Sequence, residues 1–236
     1  IAKAARRPRS TLRHLVEPGR IVAVEFSLDP ARELQNLRSG SVELDPMAAG
    51  LSLEKSAYLL GALELVDRCR PLREAADHVT EGPSSGLFGI CLEFLRVLSS
   101  ASCRRTALLF FAFEWEILAR HGLAPEVGSC ASCGALRSEM ESGSLRFDPA
   151  EGGLVCGRCA SAGQVTGGSP VSPAALDLLE ELADRGIALD TSAEDPARVL
   201  RREIGGALHR FLGYHLPGYR LPTALDLLRA GKEQRG

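Results

Sequence analysis

Two matched cysteine pairs stand in this chain, CASC at 130–133 and CGRC at 156–159. A thiolate is a soft ligand, and a C-x-x-C turn lets two sulfurs point at one ion while amides of the turn face them, so two such pairs supply the donors of a tetrahedral all-cysteine zinc site. Residues 134–155, 22 in all, separate the pairs, slightly more than the roughly 15–20 usual in such sites. Closure entropy grows only with the logarithm of loop length, so the excess costs little. On the residues alone two other readings stay open, the surviving thiols of an empty site and redox or disulfide use. Haem attachment needs His directly after the second Cys, where Gly134 and Ala160 stand. A catalytic zinc keeps one coordination position open, whereas four thiolates close the shell. None of His14, His78, His121, His209 or His215 has Glu two residues on, as a zinc deaminase requires. The reading is one structural zinc ion held by Cys130, Cys133, Cys156 and Cys159. Between the pairs, LRFDPAEGGLVC reads as a short hairpin turning at Glu151, Gly152 and Gly153, which returns the second pair to the first.

The second chemical signal is charge. The formal net charge is only −2, but residues 1–20 hold Lys3, Arg6, Arg7, Arg9, Arg13 and Arg20 against the single acid Glu17, a local excess of five positive charges. Pro8 in ARRPRSTLR is expected to keep this arm extended, spreading its guanidinium groups along a strand-like path suited to phosphates. The bland reading is solvated terminal charge in an Arg-biased chain. Arg198, Arg201 and Arg202 fall at i, i+3 and i+4, on one face of a helix. That face extends a binding track or is the wet side of an amphipathic helix, the latter being preferred. His209 and His215 read as ordinary, partly buried histidines.

The elements that must position these groups follow from periodicity. RIVAVEFS (20–27) and ELQNLRSGSVEL (33–44), the latter with a Gly-centred break, read as strands joined by a turn at DPAR. From Ser52, a candidate N-cap, apolar residues recur at helical spacing through LEKSAYLLGALELVDRC. Further helices are expected from about Pro83 to Ser99, over RRTALLFFAFEWEILARHG to Gly122, over SPAALDLLEELADRG with Ser172 as cap and Pro173 at its first position, and from Asp195 with Pro196 in the same role. The third is apolar around most of its circumference, as a central bundle helix is. Cys69, Cys91 and Cys103 sit in apolar stretches and read as small core residues.

A length of 236 residues suits one large or two modest domains, and 45% hydrophobic with 25% charged residues excludes wholesale disorder. No run of about 18 apolar residues suggests a membrane span. The start, IAKAARRPRS, has neither Met nor an apolar signal core, so a fragment of a cytoplasmic protein is expected. No P-loop, HExxH, GxSxG or paired His-carboxylate motif is found, so a non-enzymatic role is expected.

Taken in order, KAARRPRSTLR, the helical body, the CASC and CGRC pairs with RFDPAEGGLVC between them, and FLGYHLPGYRLPTALDLL resemble RecO, the bacterial recombination-mediator family, over nearly the whole chain. The resemblance implies an α+β fold: a partial N-terminal OB-fold β-barrel (1–46), a mainly helical domain in two parts (47–128 and 161–236), and between them a four-cysteine zinc-binding insert (129–160). Family members carry further strands ahead of the arm segment. It implies a nucleoid-associated DNA repair and homologous-recombination mediator that binds single- and double-stranded DNA and anneals complementary strands. With RecR it assists RecA loading onto strands coated by single-strand-binding protein. Carried over by position, the four cysteines are the zinc ligands, and Lys3, Arg6, Arg7, Arg9 and Arg13 lie on the DNA-binding side of the barrel. No membrane and no small-molecule substrate is implied. The alternative is a zinc-stabilised protein-interaction scaffold without direct DNA contact, with a groove among its helices receiving the tail of single-strand-binding protein.

Overall fold

A computed structural model of the chain describes residues 2–3, 5, 7–48, 50–69, 86–141, 144–162 and 167–228. Among these, helices form at α1 (Leu53–Cys69), α2 (Gly86–Ser99), α3 (Thr106–Arg120), α4 (Gly157–Ser161), α5 (Pro173–Arg185) and α6 (Arg198–His215). Strands form at β1 (Ile21–Ser27), β2 (Asn36–Leu44), β3 (Arg146–Asp148), β4 (Gly153–Val155) and β5 (Ser169–Pro170). The class is mixed α+β. The expected start of the second helix near Pro83 and the residue His78 lie outside the described residues.

Helix α3 is the centre, as its apolar circumference requires: from Thr106 to Leu118 every side chain except that of Glu116 is buried. It meets α1, α2, α5 and α6, with Phe94 against Phe113 at 4.7 Å and Tyr58 against Phe110 at 5.2 Å between ring centroids. Cys69, Cys91 and Cys103 are buried in or beside this core, and burial pushes the first two thiols up to about 11.

Two of the expected caps hold. Ser52 Oγ accepts the Lys55 N–H at 3.2 Å. Ser172 Oγ accepts the Ala175 N–H at 3.2 Å, with Pro173 opening α5. Asp195 does something else. Helix α6 begins at Arg198, with Ala197 at its N-cap. The Asp195 carboxylate instead accepts the N–H groups of Ala107 (2.9 Å) and Leu108 (3.1 Å) at the start of α3. The physical reason is that Arg105, which precedes α3, offers no acceptor, so buried donors at that end are met by a carboxylate from 88 residues away. Arg105 itself bridges to Glu181 of α5 at 2.8 and 2.9 Å.

At the N-terminus β1 and β2 form one antiparallel pair, and no closed barrel exists among the described residues. Two strands cannot close on themselves; an OB-type barrel takes five. The expected break at Gly40 is absent: it pairs with Val24 inside β2, and a Cβ there would strike the Ala23 carbonyl, so the glycine allows close approach of β1. The turn at 29–32 forms as read, with Arg32 N–H to Asp29 O at 3.0 Å. Arg20 fastens the hairpin base, its guanidinium 2.7 Å from Asp45 and 3.0 Å from Glu17; this bond holds the Asp45 carboxyl below its usual range. The C-terminal segment is fastened by Glu64 of α1, which accepts the N–H groups of Thr223 (2.9 Å) and Ala224 (2.8 Å).

Inside the core, Glu114 of α3 is fully buried, and the charged group that meets it among the described residues is His209 Nε2 at 3.0 Å. Burial drives His209 toward neutrality, but the adjacent Glu114 carboxylate outweighs it and leaves the imidazole raised above its ordinary value of 6.5. A raised histidine contributes stability that is full below the unfolded value and disappears as pH rises through the folded one. Urea unfolding between pH 6.5 and 9 should therefore give a declining stability that His209→Gln flattens. His209→Ala at pH 6.5 should cost about 3 kcal/mol by stranding the carboxylate, whereas replacing both partners with leucine should cost much less. In the same assay Asp195→Ala should cost about 1–2 kcal/mol through the lost cap of α3.

Candidate metal centre and basic arm

The first cysteine pair lies on a knuckle closed by Gly134. The Gly134 N–H donates to Cys130 O and the Cys130 N–H to Ala135 O, both at 2.8 Å, and Gly134 sits at φ +74°. Antiparallel strands β3 and β4 then form the expected hairpin. Its turn runs over Pro149–Gly152, one residue earlier than the glycine pair suggests, and Gly153 belongs to β4. The reason is steric: Gly153 passes so close to the backbone of Glu126 that any Cβ would overlap it. The second pair follows at once, Cys156 just past β4 at the N-cap of α4 and Cys159 within α4.

This chain path brings the four sulfurs within 4.8 Å of one another, with Cys130, Cys156 and Cys159 buried and Cys133 exposed. Cys133 Sγ and Cys156 Sγ are 3.8 Å apart. A disulfide is about 2.05 Å long, whereas ligands about 2.3 Å from a tetrahedral ion stand about 3.8 Å apart. All four thiols are free, and the group is able to hold one metal ion. The Cys156 N–H donates to Cys130 Sγ at 3.3 Å. Burial pushes the Cys130 thiol up, but amide donors from Cys156, Cys133 and Ser132 outweigh it and bring it to about 6. Cys159 goes the other way: contact with the sulfurs of Cys133 and Cys156 pushes it up to about 12, the repulsion a cation at the centre relieves.

The insert is built into the helical core. Phe147 of β3 packs on Phe211 of α6 at 5.7 Å, Leu145 and Leu154 join the same apolar cluster, and His215 Nε2 lies 2.9 Å from Pro149 O. Arg137 reaches from the first knuckle to Asp177 and Glu180 of α5.

The arm differs from its expected shape. Arg7 to Ser10 is a turn with Pro8 at its second position, closed by Ser10 N–H to Arg7 O at 3.0 Å, and a second turn follows from Ser10 to Arg13. Proline's fixed φ serves that turn position as well as an extended strand. Lys3, Arg7, Arg9 and Arg13 are all exposed, without an ion pair among the described residues; Arg6 lies outside the described residues. Arg20 belongs to the hairpin base and not to this free set. The arm packs on the hairpin, Leu15 lying against Gly40, while the cysteine insert packs on α5 and α6.

The family described as "Recombination protein O C terminal" matches residues 50–224, which take in all six helices and the four cysteines. The chain is 33% identical to the DNA repair protein RecO of Anaeromyxobacter sp. (strain Fw109-5), over 98% of this chain and 84% of that relative. To the RecO of Anaeromyxobacter dehalogenans (strain 2CP-C) it is 34% identical, over 91% and 78%. To that of Desulforudis audaxviator it is 30% identical, over 97% and 83%. The chain belongs to the RecO family.

The residues that shape the knuckle of this RecO chain from outside it carry little signal in the sequence. Glu126 accepts the N–H groups of Gly128 and Ser129, both at 2.9 Å, through one carboxylate oxygen, and its backbone pairs with Gly152 and Leu154. Glu139 accepts the Leu136 N–H at 3.2 Å. An acid two or three residues before a glycine-serine step is the available signal, and it is weak. Elemental analysis at neutral pH should find one metal ion per chain, lost in Cys156→Ser and released from the wild type as acid protonates the thiols. Phe147→Ala should keep the ion while lowering stability by about 3–5 kcal/mol, which separates docking of the insert from filling of its site.

Proposed function

We propose that this RecO chain is a non-enzymatic recombination mediator that binds single- and double-stranded DNA through its N-terminal arm and anneals complementary strands. The observation that carries this reading is the set of exposed cations Lys3, Arg7, Arg9 and Arg13, none paired with a carboxylate among the described residues. Free guanidinium groups bind phosphate bidentately, and releasing condensed counterions drives the association. Annealing needs no bond chemistry: lowering the charge of two strands lets their bases pair. Residues 1–46, with Arg6 among the ligands, are read as part of an OB-type barrel. The ion in the cysteine group is read as zinc, because four thiolates in closed tetrahedral array suit it, and its role is to hold the insert. RecR and single-strand-binding protein are the proposed partners, RecA the protein loaded, and the cytoplasm, in association with the nucleoid, the proposed location. Among the described residues no helix is long and apolar enough to cross a membrane.

A second reading, a zinc-stabilised protein-interaction scaffold, is favoured by a groove of about 560 Å³ between α1 and the C-terminal turn, floored by Leu60, Leu63 and Leu227. Salt titration of single-stranded DNA binding separates the two. Four or five arm contacts should give a log-log slope near −3, at about 0.7 per phosphate, and replacing Arg6, Arg7 and Arg9 with alanine should flatten it by about two. Absence of binding in dilute salt would favour the scaffold.

A further inference from the structure

Helix α6 turns an uncovered face to solvent. Arg198, Val199, Arg202, Arg210 and Tyr214 are exposed there, Val199 at 73% and Tyr214 at 63%. Of the arginines on this helix, Arg201 is engaged by Glu54 at 3.4 Å; Arg198, Arg202 and Arg210 have no ion pair among the described residues. The carboxylates that could neutralise them are held elsewhere. Asp195 caps α3, and Glu203 accepts the Ser172 hydroxyl at 2.9 Å and the Ser172 N–H. Beyond the helix, Arg210 donates to Ser169 Oγ, and Arg146 donates to the carbonyls of Gly167 (3.2 Å) and Gly168 (2.6 Å). Both guanidinium groups thus reach the stretch 167–169 through neutral partners; the Asp148 carboxylate beside Gly167 is itself engaged by the Ala150 N–H at 2.9 Å.

The glycines of α6 add a second, independent observation. Gly205 is required by packing, since a Cβ there would press on the Phe111 ring at 3.1 Å. Gly206 is not: a Cβ would meet only the flexible tip of Arg210 at 3.3 Å, and a mid-helix glycine weakens a helix relative to alanine. It stands four residues from Arg202 and four from Arg210, and its missing side chain lets the Arg210 guanidinium lie back over the helix surface, beside the Ser169 hydroxyl that receives its hydrogen bond. At about 1.5 Å per residue the Cα atoms of Arg202 and Arg210 are about 12 Å apart along the axis, within reach of neighbouring phosphates of one strand. Tyr214, one turn beyond Arg210, offers a ring on which a base can stack.

We propose that the outer face of α6, with Arg198, Arg202, Arg210, Arg146 and Tyr214, is a second polynucleotide-binding surface, which holds one strand while the N-terminal arm holds another. This rests on the DNA-binding reading above. It supplies what annealing physically needs, two polyanions neutralised on one molecule. The two surfaces share no residue and sit on different elements, so one can be altered alone.

The test uses the full chain and two non-complementary oligo-dT strands carrying a donor and an acceptor dye, so that energy transfer reports both strands on one protein, alongside the affinity for one labelled strand. The wild type should bridge the strands. Arg202→Ala/Arg210→Ala should lose about tenfold more in bridging than in one-strand affinity, and its bridging signal should depend on salt with a log-log slope shallower by about 1.4, two contacts at about 0.7 each. Both substitutions favour helix, and a thermal melt checks that the fold is kept. Gly206→Gln, which retains both arginines, should also lower bridging. A double variant that bridges and anneals like the wild type overturns the inference while leaving the arm reading intact. A wild type that binds no oligonucleotide overturns the arm reading and this inference together.

Discussion

Four thiolates cannot share a space less than 5 Å across without a cation. The sulfurs of Cys130, Cys133, Cys156 and Cys159 lie within 4.8 Å of one another; amide donors favour the thiolate at Cys130, whereas contact with its neighbours' sulfurs disfavours it at Cys159. In zinc-finger peptides such coordination contributes roughly 10–16 kcal/mol, more than the whole net stability of many domains. The consequence reaches beyond the insert because its hairpin is not a free appendage. Phe147 and Leu154 are buried in the same apolar cluster as Phe211 and Leu208 of α6. Strands β3 and β4, of three residues each, with the two-residue β5 beside β3, make a sheet too small to hold that position unaided, so the helical core supports it and an ion held by the cysteines would support the same surface.

The helical body in turn depends on long-range hydrogen bonds to its helix ends. Helix α3 begins on the Asp195 carboxylate, the C-terminal turn begins on Glu64, and α5 is tied to α6 through Ser172 and Glu203. In each case a carboxylate satisfies amide or hydroxyl donors of a different element. Such bonds form only once both elements have docked, so each couples the stability of one element to the placement of another.

What was legible in the sequence was local. The cysteine pairs, the caps at Ser52 and Ser172, the hairpin between the pairs and the apolar circumference of α3 each depend on residues within one or two turns of one another, where spacing determines geometry. The rest was illegible because it is decided by partners distant in sequence. Nothing beside Asp195 says that it caps α3 and not the helix that follows it. Glu114, in an otherwise apolar helix, gives no hint that His209 waits opposite. Pro8 suits a turn as well as a strand, and only the Ser10 N–H to Arg7 O bond decides between them. Gly40 looked like a break because sequence does not reveal that another backbone lies against it. For the candidate site, the donor set was visible in full, whereas the supporting carboxylates Glu126 and Glu139 were not.

The charge balance is subject to the same distinction. With 28 basic and 30 acidic residues the chain is nearly neutral, which argues against polyanion binding if charge is averaged over the molecule. It is not averaged. At physiological salt exposed charges are screened beyond about 8 Å, so a phosphate senses only its own neighbourhood. Many of the acids are fasteners: Asp45 on Arg20, Glu64 on the C-terminal turn, Glu114 on His209, Glu126 on the knuckle, Glu181 on Arg105, Asp195 on α3, Glu203 on Ser172. Glu114 meets His209 as an ion pair, and the others accept hydrogen bonds from the groups they serve. Among the described residues the cations of the arm and Arg198 and Arg202 of α6 have no carboxylate partner, and Arg210 meets a neutral hydroxyl. A near-neutral protein thus presents positive surfaces because its negative charge is bound into its architecture, and the polarity of the surface follows from how the fold is fastened.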